Sequence, residues 1–432
     1  MLVGLLLGVL TGYPLALVVG VIGLVAGYAV FGDSVIALMY QRWFGILNDY
    51  TLLAIPLFVF MGLVLERSGI SERMFDALYV WLGGFRGGLA ITTVLIGTIL
   101  GACVGVVGAS VAMLAIVSLR AMCKRGYDKS LAAGSVCAGG TLGQLIPPSI
   151  LIIIYGSMAQ ISVGKLFMGA FIPGFLLSAL YCAYIAIRSL LQPALAPTVS
   201  QEERNIPFLK KTVDLVVAIV PTFVLILSVL GSIFFGIAPP TEAAAVGAFI
   251  SMVLAISYRR FNWQTLKEVT LGTLKTASMI LLIGGMSYVF TGVFIGGGGS
   301  SLVRDFVLSA PGGSWGAFAV IMFIVFVLGF FIDVIGILFI MVPIIAPLAS
   351  VLGFDPIWFG MMIMVNLQMA FMTPPFAVTI FYLRGMAPPE LGITMGDIIR
   401  GVIPFVLLII VGISLLAAFP ELVLWLPGKM IK

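Results

Sequence analysis

The chain has 432 residues, 62% of them hydrophobic and 9% charged, with a net charge of +5 and no histidine. Apolar side chain in that proportion exceeds what one soluble core can cover, so the composition demands a bilayer and points to an all-α integral membrane protein. It also excludes histidine metal sites, Ser-His triads and histidine proton relays. With no G-x-x-x-x-G-K-[ST] run, ATP hydrolysis through a P-loop on this polypeptide is excluded too.

The first ten residues are apolar, with no basic residue ahead and no A-x-A site behind, and read as part of the first span rather than a cleaved signal. Gly12-Tyr13-Pro14-Leu15-Ala16 opens the next apolar stretch. Residues 71–81 set Met74, Phe75, Leu78 and Val80 among Glu72, Arg73 and Asp76, the pattern of an amphipathic helix lying on the membrane surface. Such a helix braces its neighbours and is assigned no chemistry. Residues 87–119 carry no charge, are bracketed by Arg86 and Arg120, and are long enough to enter and leave on one side as a re-entrant hairpin. Its expected tip is Gly105, Gly108, Ala109 and Ser110, small residues that let backbone approach a ligand or a neighbouring helix closely. Beyond the basic stretch 120–129, Gly139-Gly140-Thr141-Leu142-Gly143-Gln144 leads into Ile146-Pro147-Pro148. The four cysteines, Cys103, Cys123, Cys137 and Cys182, contain no C-x-x-C pair and read as small core residues.

Residues 191–211 form the one clearly polar connector, with Pro193, Pro197, Gln201, Glu202, Glu203, Arg204 and Pro207. It divides the chain into a first repeat over 1–190 and a second over 212–432. In the second, Pro239-Pro240-Thr241-Glu242-Ala243 falls opposite the motif at Gly12, with Thr241 expected as N-cap and Glu242 in the first helical turn. Residues 300–308 pair with the surface helix of the first half, and 314–348 with its hairpin, Asp333 and Gly336 marking the tip. Thr373-Pro374-Pro375 lies 227 residues after Ile146-Pro147-Pro148, and Gly329 and Gly336 each lie 228 after Gly101 and Gly108. Landmarks recurring at one spacing indicate an internal duplication.

With both long apolar runs taken as hairpins, seventeen of the 22 Lys and Arg fall on one side. Only Arg42, Lys165, Arg304, Lys429 and Lys432 fall on the other. This bias marks the cytoplasmic side rather than a nucleic-acid patch, and it makes the two halves inverted repeats. Such repeats place a transport site near the midplane, where broken helices from both halves meet. Each proline pair removes amide donors and drives the preceding residue out of helical geometry, so each segment is expected to break into half-helices. The freed carbonyls suit a hard cation and the next helix N-terminus suits an anion. Gly139–Gln144 before the first break and Asn366-Leu367-Gln368 before the second add polar atoms that lipid tolerates poorly. Asp333 has no Lys or Arg from 317 to 348 to offset a cost of about 2.5 to 3.5 kcal/mol at mid-membrane, so it is expected to meet a sodium ion or to order the hairpin tip.

Gly140-Thr141-Leu142-Gly143-Gln144-Leu145-Ile146-Pro147-Pro148-Ser149-Ile150, Thr241-Glu242-Ala243-Ala244-Ala245-Val246-Gly247 and Thr373-Pro374-Pro375-Phe376 strongly resemble the large membrane (M, DctM-like) subunit of tripartite ATP-independent periplasmic transporters. Thr51-Leu52-Leu53-Ala54-Ile55-Pro56-Leu57-Phe58 adds to the likeness, which runs over essentially the whole chain. The resemblance implies an elevator-type, sodium-coupled importer in the bacterial inner membrane. A periplasmic binding protein would hand it a small organic acid, and a small four-helix membrane subunit would brace it. Carried over by position, Gly108 and Ser110 with Gly140, Thr141, Pro147 and Pro148 would form one sodium site. Asp333 and Gly336 with Thr373, Pro374 and Pro375 would form the other. Neither a transition metal nor an organic cofactor is implied. The sequence departs from the family pattern at Ala109, where serine or threonine is common, and at Pro239, where threonine is common; at the first, backbone carbonyls and Ser110 would have to complete the site. Residues 34–57 look closest to relatives that move monocarboxylates, 2-oxo acids or aromatic acids.

Two other readings compete. A stand-alone sodium/carboxylate symporter would use the same hairpins and breaks without a binding protein. A membrane-embedded enzyme would need a nucleophile–base pair or a metal cluster, which the sequence does not display.

Overall fold

The computed structural model describes residues 1–104, 107–198, 207–375 and 377–430, with the side chains of 102–104 and 208 excepted. The described residues are helical, with no strand among them. Eight helices are long and apolar enough to cross a membrane, from Tyr50–Arg67 in the first half to Met395–Ala418 in the second. Their outer faces show why the sequence needed a bilayer. Along Phe208–Phe234, Val213, Val217, Val220, Val224 and Leu227 recur at helical spacing and are all exposed.

Both expected hairpins are present. The first runs from Gly88–Val104 into Val107–Leu114, and its returning arm continues through Ala115–Leu119 and Arg120–Lys124. It therefore extends five residues past the expected end at 119, and Arg120 belongs to a helix rather than a loop. Ala115–Leu119 is wound as a π-helix, a local insertion that α-helices accommodate in single turns. The second hairpin is Gly313–Leu328 and Val334–Val351. Both broken helices are present too, as Lys129–Leu142 with Ile150–Ala159, and Pro356–Met372 with Val378–Met386. The surface helices are Ile70–Leu82 and Gly299–Leu308, each entered through a glycine of positive φ, Gly69 (74°) and Gly298 (83°). Of the polar connector, 193–195 forms a single 3-10 turn and 199–206 lies outside the described residues. The side chain of Cys103 is likewise outside them; Cys123, Cys137 and Cys182 are free thiols, Cys137 fully buried.

Thr241 is not the N-cap expected of it. Pro239 occupies that position and Pro240 begins the helix Pro240–Ser257, because proline at the first helical position gives up no usable donor. The Thr241 hydroxyl instead donates to the Tyr50 carbonyl at 3.2 Å, joining the two halves. Glu242 does sit in the first turn, exposed.

The halves are interleaved. Pro240–Ser257 packs on Ala54–Arg67, while Leu15–Phe31 packs on Trp263–Gly296. Glycines set both approaches: a Cβ on Gly247 would lie 2.7 Å from the Met61 sulfur, and one on Gly20 would lie 2.6 Å from that of Met286. The first hairpin seats on the first broken helix by the same means. Gly97 and Gly101 face Gly139 and Gly143, two G-x-x-x-G pairs in contact, the arrangement that lets membrane helices approach backbone to backbone. At the base of that hairpin the Leu89 amide donates to the buried Tyr127 hydroxyl at 3.4 Å. Burial pushes that phenol up to about 12, so it stays neutral over the working pH range.

A Cβ at Gly97 would stand 2.3 Å from the Gly139 carbonyl oxygen. Gly97→Val is therefore expected to destabilise the purified protein by about 3 kcal/mol or more, read as a lowered thermal unfolding midpoint in detergent. An unchanged midpoint would show that this helix pair is not tightly packed.

Candidate functional site

The first break starts where Leu142 ends its helix. Gly143 caps it, and the Gln144, Leu145 and Ile146 amides fold back onto the Thr141 and Leu142 carbonyls at 3.0–3.1 Å. Pro147-Pro148 follows, joined by a cis bond as Pro374-Pro375 is. The Ser149 hydroxyl reaches back across the gap to donate to the Gln144 carbonyl. At the second break the Thr379 hydroxyl does the same over a longer distance in sequence, donating to the Phe371 carbonyl at 2.8 Å. Each break is thus bridged by a hydroxyl at the start of its second half-helix, from the N-cap Ser149 in the first and from Thr379 in the second. The first lies inside protein, where irregular backbone at membrane depth survives, whereas Pro374 and Pro375 of the second are exposed.

The hydroxyls beside the breaks have committed their hydrogens. Thr141 Oγ1 donates to the Ala138 carbonyl at 2.9 Å and Thr373 Oγ1 to that of Met369 at 2.7 Å. A hydroxyl so engaged offers only lone pairs to anything else, which favours a cation over an anion. Ser110 Oγ and Gln144 Oε1 are buried without a hydrogen-bond partner among the described residues, as are both polar atoms of the Gln368 side chain. Gln368 and Asn366 lie inside the helix rather than at its broken end. Asn366 is already satisfied, donating to the Met322 carbonyl of the second hairpin at 2.8 Å.

The first hairpin tip meets the first break. Gly140 lies against Val111 of the returning arm, and a Cβ on Gly101 would stand 2.2 Å from the Gly143 Cα. The equivalent contact in the second half is Gly329 on Ala370, where a Cβ would meet the Ala370 Cβ at 2.2 Å. The tips do not otherwise stay within their own halves. Gly108 faces the Tyr382 ring of the second broken helix, a Cβ there reaching its carbons at 2.7 Å. Gly336 faces Leu15 rather than Thr373 or Pro374. Gly105 lies outside the described residues.

Asp333 is the N-cap of the returning arm Val334–Val351, accepting from the Ile335 amide at 3.2 Å. Its carboxylate also borders a cavity of about 570 Å³ whose other walls come from Val378, Phe381, Tyr382, Gly385 and Met386. Tyr382 therefore packs on Gly108 of the first tip and lines the same cavity as Asp333 of the second. This face lies beyond the proline pair and carries no motif of its own. Its signal was the spacing 378, 381, 382, 385, one stripe of the short helix immediately after Pro374-Pro375.

Residues 2–422 match the family described as "Tripartite ATP-independent periplasmic transporter, DctM component". The C4-dicarboxylate TRAP transporter large permease protein DctM of Pseudomonas aeruginosa is 32% identical over 88% of this chain and 87% of its own length. The isethionate TRAP transporter permease protein DctMQ of Oleidesulfovibrio alaskensis is 27% identical over 96% of this chain but only 64% of its own length. In fold, the YdaH transporter of Alcanivorax borkumensis superposes with a TM-score of 0.65, covering 97% of this chain and 98% of that one at 15% sequence identity.

Ser110→Ala removes a buried hydroxyl without breaking a hydrogen bond among the described residues. Thermal unfolding in sodium-free buffer is expected to be unchanged or slightly raised, by about 1 kcal/mol at most. A loss of stability in that buffer would mean the hydroxyl is structurally paired.

Proposed function

This chain belongs to the DctM-component family of tripartite ATP-independent periplasmic transporters, and from that we propose that it is the sodium-coupled subunit through which a small organic acid enters the cell. It is a multi-pass membrane transport component and not an enzyme. The cargo is a carboxylate delivered by a periplasmic binding protein, and the membrane is the bacterial inner membrane. The DctMQ relative extends well beyond its match to this chain, which supports a separate small membrane subunit as partner here.

The observation that carries this reading is Asp333 at the wall of a cavity also lined by Tyr382, whose ring packs on Gly108 of the first tip. An anionic cargo and an ionised Asp333 about 4 Å apart would repel by roughly 4 kcal/mol at an effective dielectric near 20. A sodium ion between them turns that repulsion into attraction, so neither ion nor cargo binds well alone. Coupling is a consequence of the charge arrangement. At the first tip, Ser110 and Thr141 supply oxygen lone pairs for a second sodium, beside the carbonyls freed at Pro147-Pro148. Tyr382, Phe381 and Met386 give the cargo an apolar wall, which suits an acid with an organic body over an inorganic anion. Alternating access follows if the hairpins and broken helices move as one body against Ala54–Arg67 and Trp263–Gly296, the elevator motion.

Uptake of a labelled organic acid into proteoliposomes holding this subunit and its small partner tests the reading. Accumulation is expected only with the binding protein present and an inward sodium gradient. Uptake without the binding protein would favour a stand-alone symporter, and uptake indifferent to sodium would sink the coupling.

Asp333→Asn keeps an N-cap side chain, so folding should be retained, while the sodium concentration for half-maximal uptake is expected to rise about tenfold or more. Wild-type sodium dependence in this variant would remove Asp333 from the ion site.

A further inference from the structure

The second half of the first broken helix, Ile150–Ala159, ends against the turn that opens Ala54–Arg67. There the Ser157 hydroxyl donates to Asp49 Oδ2, a hydrogen bond between residues 108 apart in sequence. Ser135 and Ser257, also inside helices, return their protons to the carbonyl four residues behind. Ser157 spends its proton on a carboxylate of another element instead, and a charged acceptor makes this one of the stronger hydrogen bonds a serine can form.

Both ends of the bond are held. Asp49 Oδ1 accepts from the Thr51 amide at 2.8 Å and so caps the turn Tyr50–Leu53, which runs directly into Ala54–Arg67. The Tyr50 carbonyl accepts from Thr241, which ties that turn to Pro240–Ser257 as well. On the other side Gln160, at a φ of 56°, closes the half-helix by donating its backbone and side-chain amides to the Ser157 carbonyl. Among the described residues Asp49 forms no ion pair that would compete for its carboxylate.

The two parts are loosely packed beside this bond. A cavity of about 530 Å³ separates Tyr50, Thr51, Pro239 and Pro240 from Ile161 and Ser162, the residues that follow the half-helix. Interlocked side chains resist sliding, and a gap does not. Farther along the same boundary, Thr291 Oγ1 reaches the Phe339 and Ile340 carbonyls of the second hairpin at the longer distances of 3.4 and 3.5 Å.

We propose that the Asp49–Ser157 hydrogen bond is a latch, which holds the body of hairpins and broken helices in the position seen here and breaks each time that body moves. It rests on the elevator motion proposed above. Ser157 travels with its half-helix, whereas Asp49 stays with a turn anchored to both halves, so a shift of about 1 Å already takes the pair out of hydrogen-bonding range. A bond present in one state and absent from the other biases the balance between them by its own strength, and it needs no contact with cargo or sodium to do so.

Spin labels on Phe249, exposed on Pro240–Ser257, and on Phe323, exposed on the second hairpin, report the separation of the two parts by pulsed electron resonance in the full chain with its native cysteines replaced. In sodium-free buffer without cargo, Ser157→Ala is expected to raise the ratio of displaced to latched distances about tenfold, and Ser157→Thr to restore it. An unchanged thermal midpoint certifies each variant as folded. If sodium and organic acid shift the parent but Ser157→Ala matches it, the latch is overturned and the motion stands. A single distance in every sample removes the moving body and the latch together. A short bifunctional thiol reagent applied to Asp49→Cys with Ser157→Cys is expected to halt uptake, with reductant restoring it. Uptake that continues across a confirmed cross-link, or a cysteine pair that does not cross-link, also overturns the assignment.

Discussion

Hydrocarbon offers no hydrogen bonds, and this chain brings the non-helical backbone of its first break into its interior. The packing around 143–149 follows from the need to keep that stretch out of lipid; Pro374 and Pro375 of the second break are exposed. The first half-helix, Lys129–Leu142, is buried along its length from Leu131, and Ile150–Met158 is buried beyond the break. Ser149 and Thr379 satisfy carbonyls that the breaks would leave exposed. The elements whose apolar faces are exposed, such as Phe208–Phe234, are unbroken helices, with Pro221 removing a single amide donor from that one.

Burial of that kind requires close approach, and glycine supplies it. The paired G-x-x-x-G contacts at Gly97, Gly101, Gly139 and Gly143 bring two backbones together with no side chain between them. Dispersion and short polar contacts then replace the hydrophobic drive that a bilayer does not provide between helices. Small residues in this chain therefore let neighbours close in both at the first break and at the tips, where Gly108 admits Tyr382 and Gly336 admits Leu15. Ion pairs contribute less. Arg67 with Glu268 and Arg120 with Glu390 are solvent-exposed, and such pairs are worth at most about 1 kcal/mol.

The candidate cavity joins one carboxylate, Asp333, to the short helix that follows the second break. Asp333 both caps a helix and faces the cavity, which ties the order of the hairpin tip to the charge it presents. Gly108 and Asp333 come from different halves and reach the same short helix, so the first and second tips share a wall. A fold built from two interleaved halves brings residues far apart in sequence to one point without a long loop.

Much of this was legible in sequence, because lipid imposes its rules locally. Uncharged runs gave the hairpins, proline pairs gave the breaks, and the recurrence near 227 residues paired them, each through chemistry confined to a few consecutive residues. What escaped depended on partners distant in the chain. Thr241 donating to Tyr50 rather than capping, Gly336 turned to Leu15 and Tyr382 packed on Gly108 were decided by packing between the halves, and Asn366 satisfied by Met322 by packing within the second. The pattern of apolar and breaking residues determines which segments cross, turn or break, since those choices answer to solvent and backbone hydrogen bonding alone. Which side chains then meet is settled by how helices from different halves seat on one another, and that requires the tertiary structure.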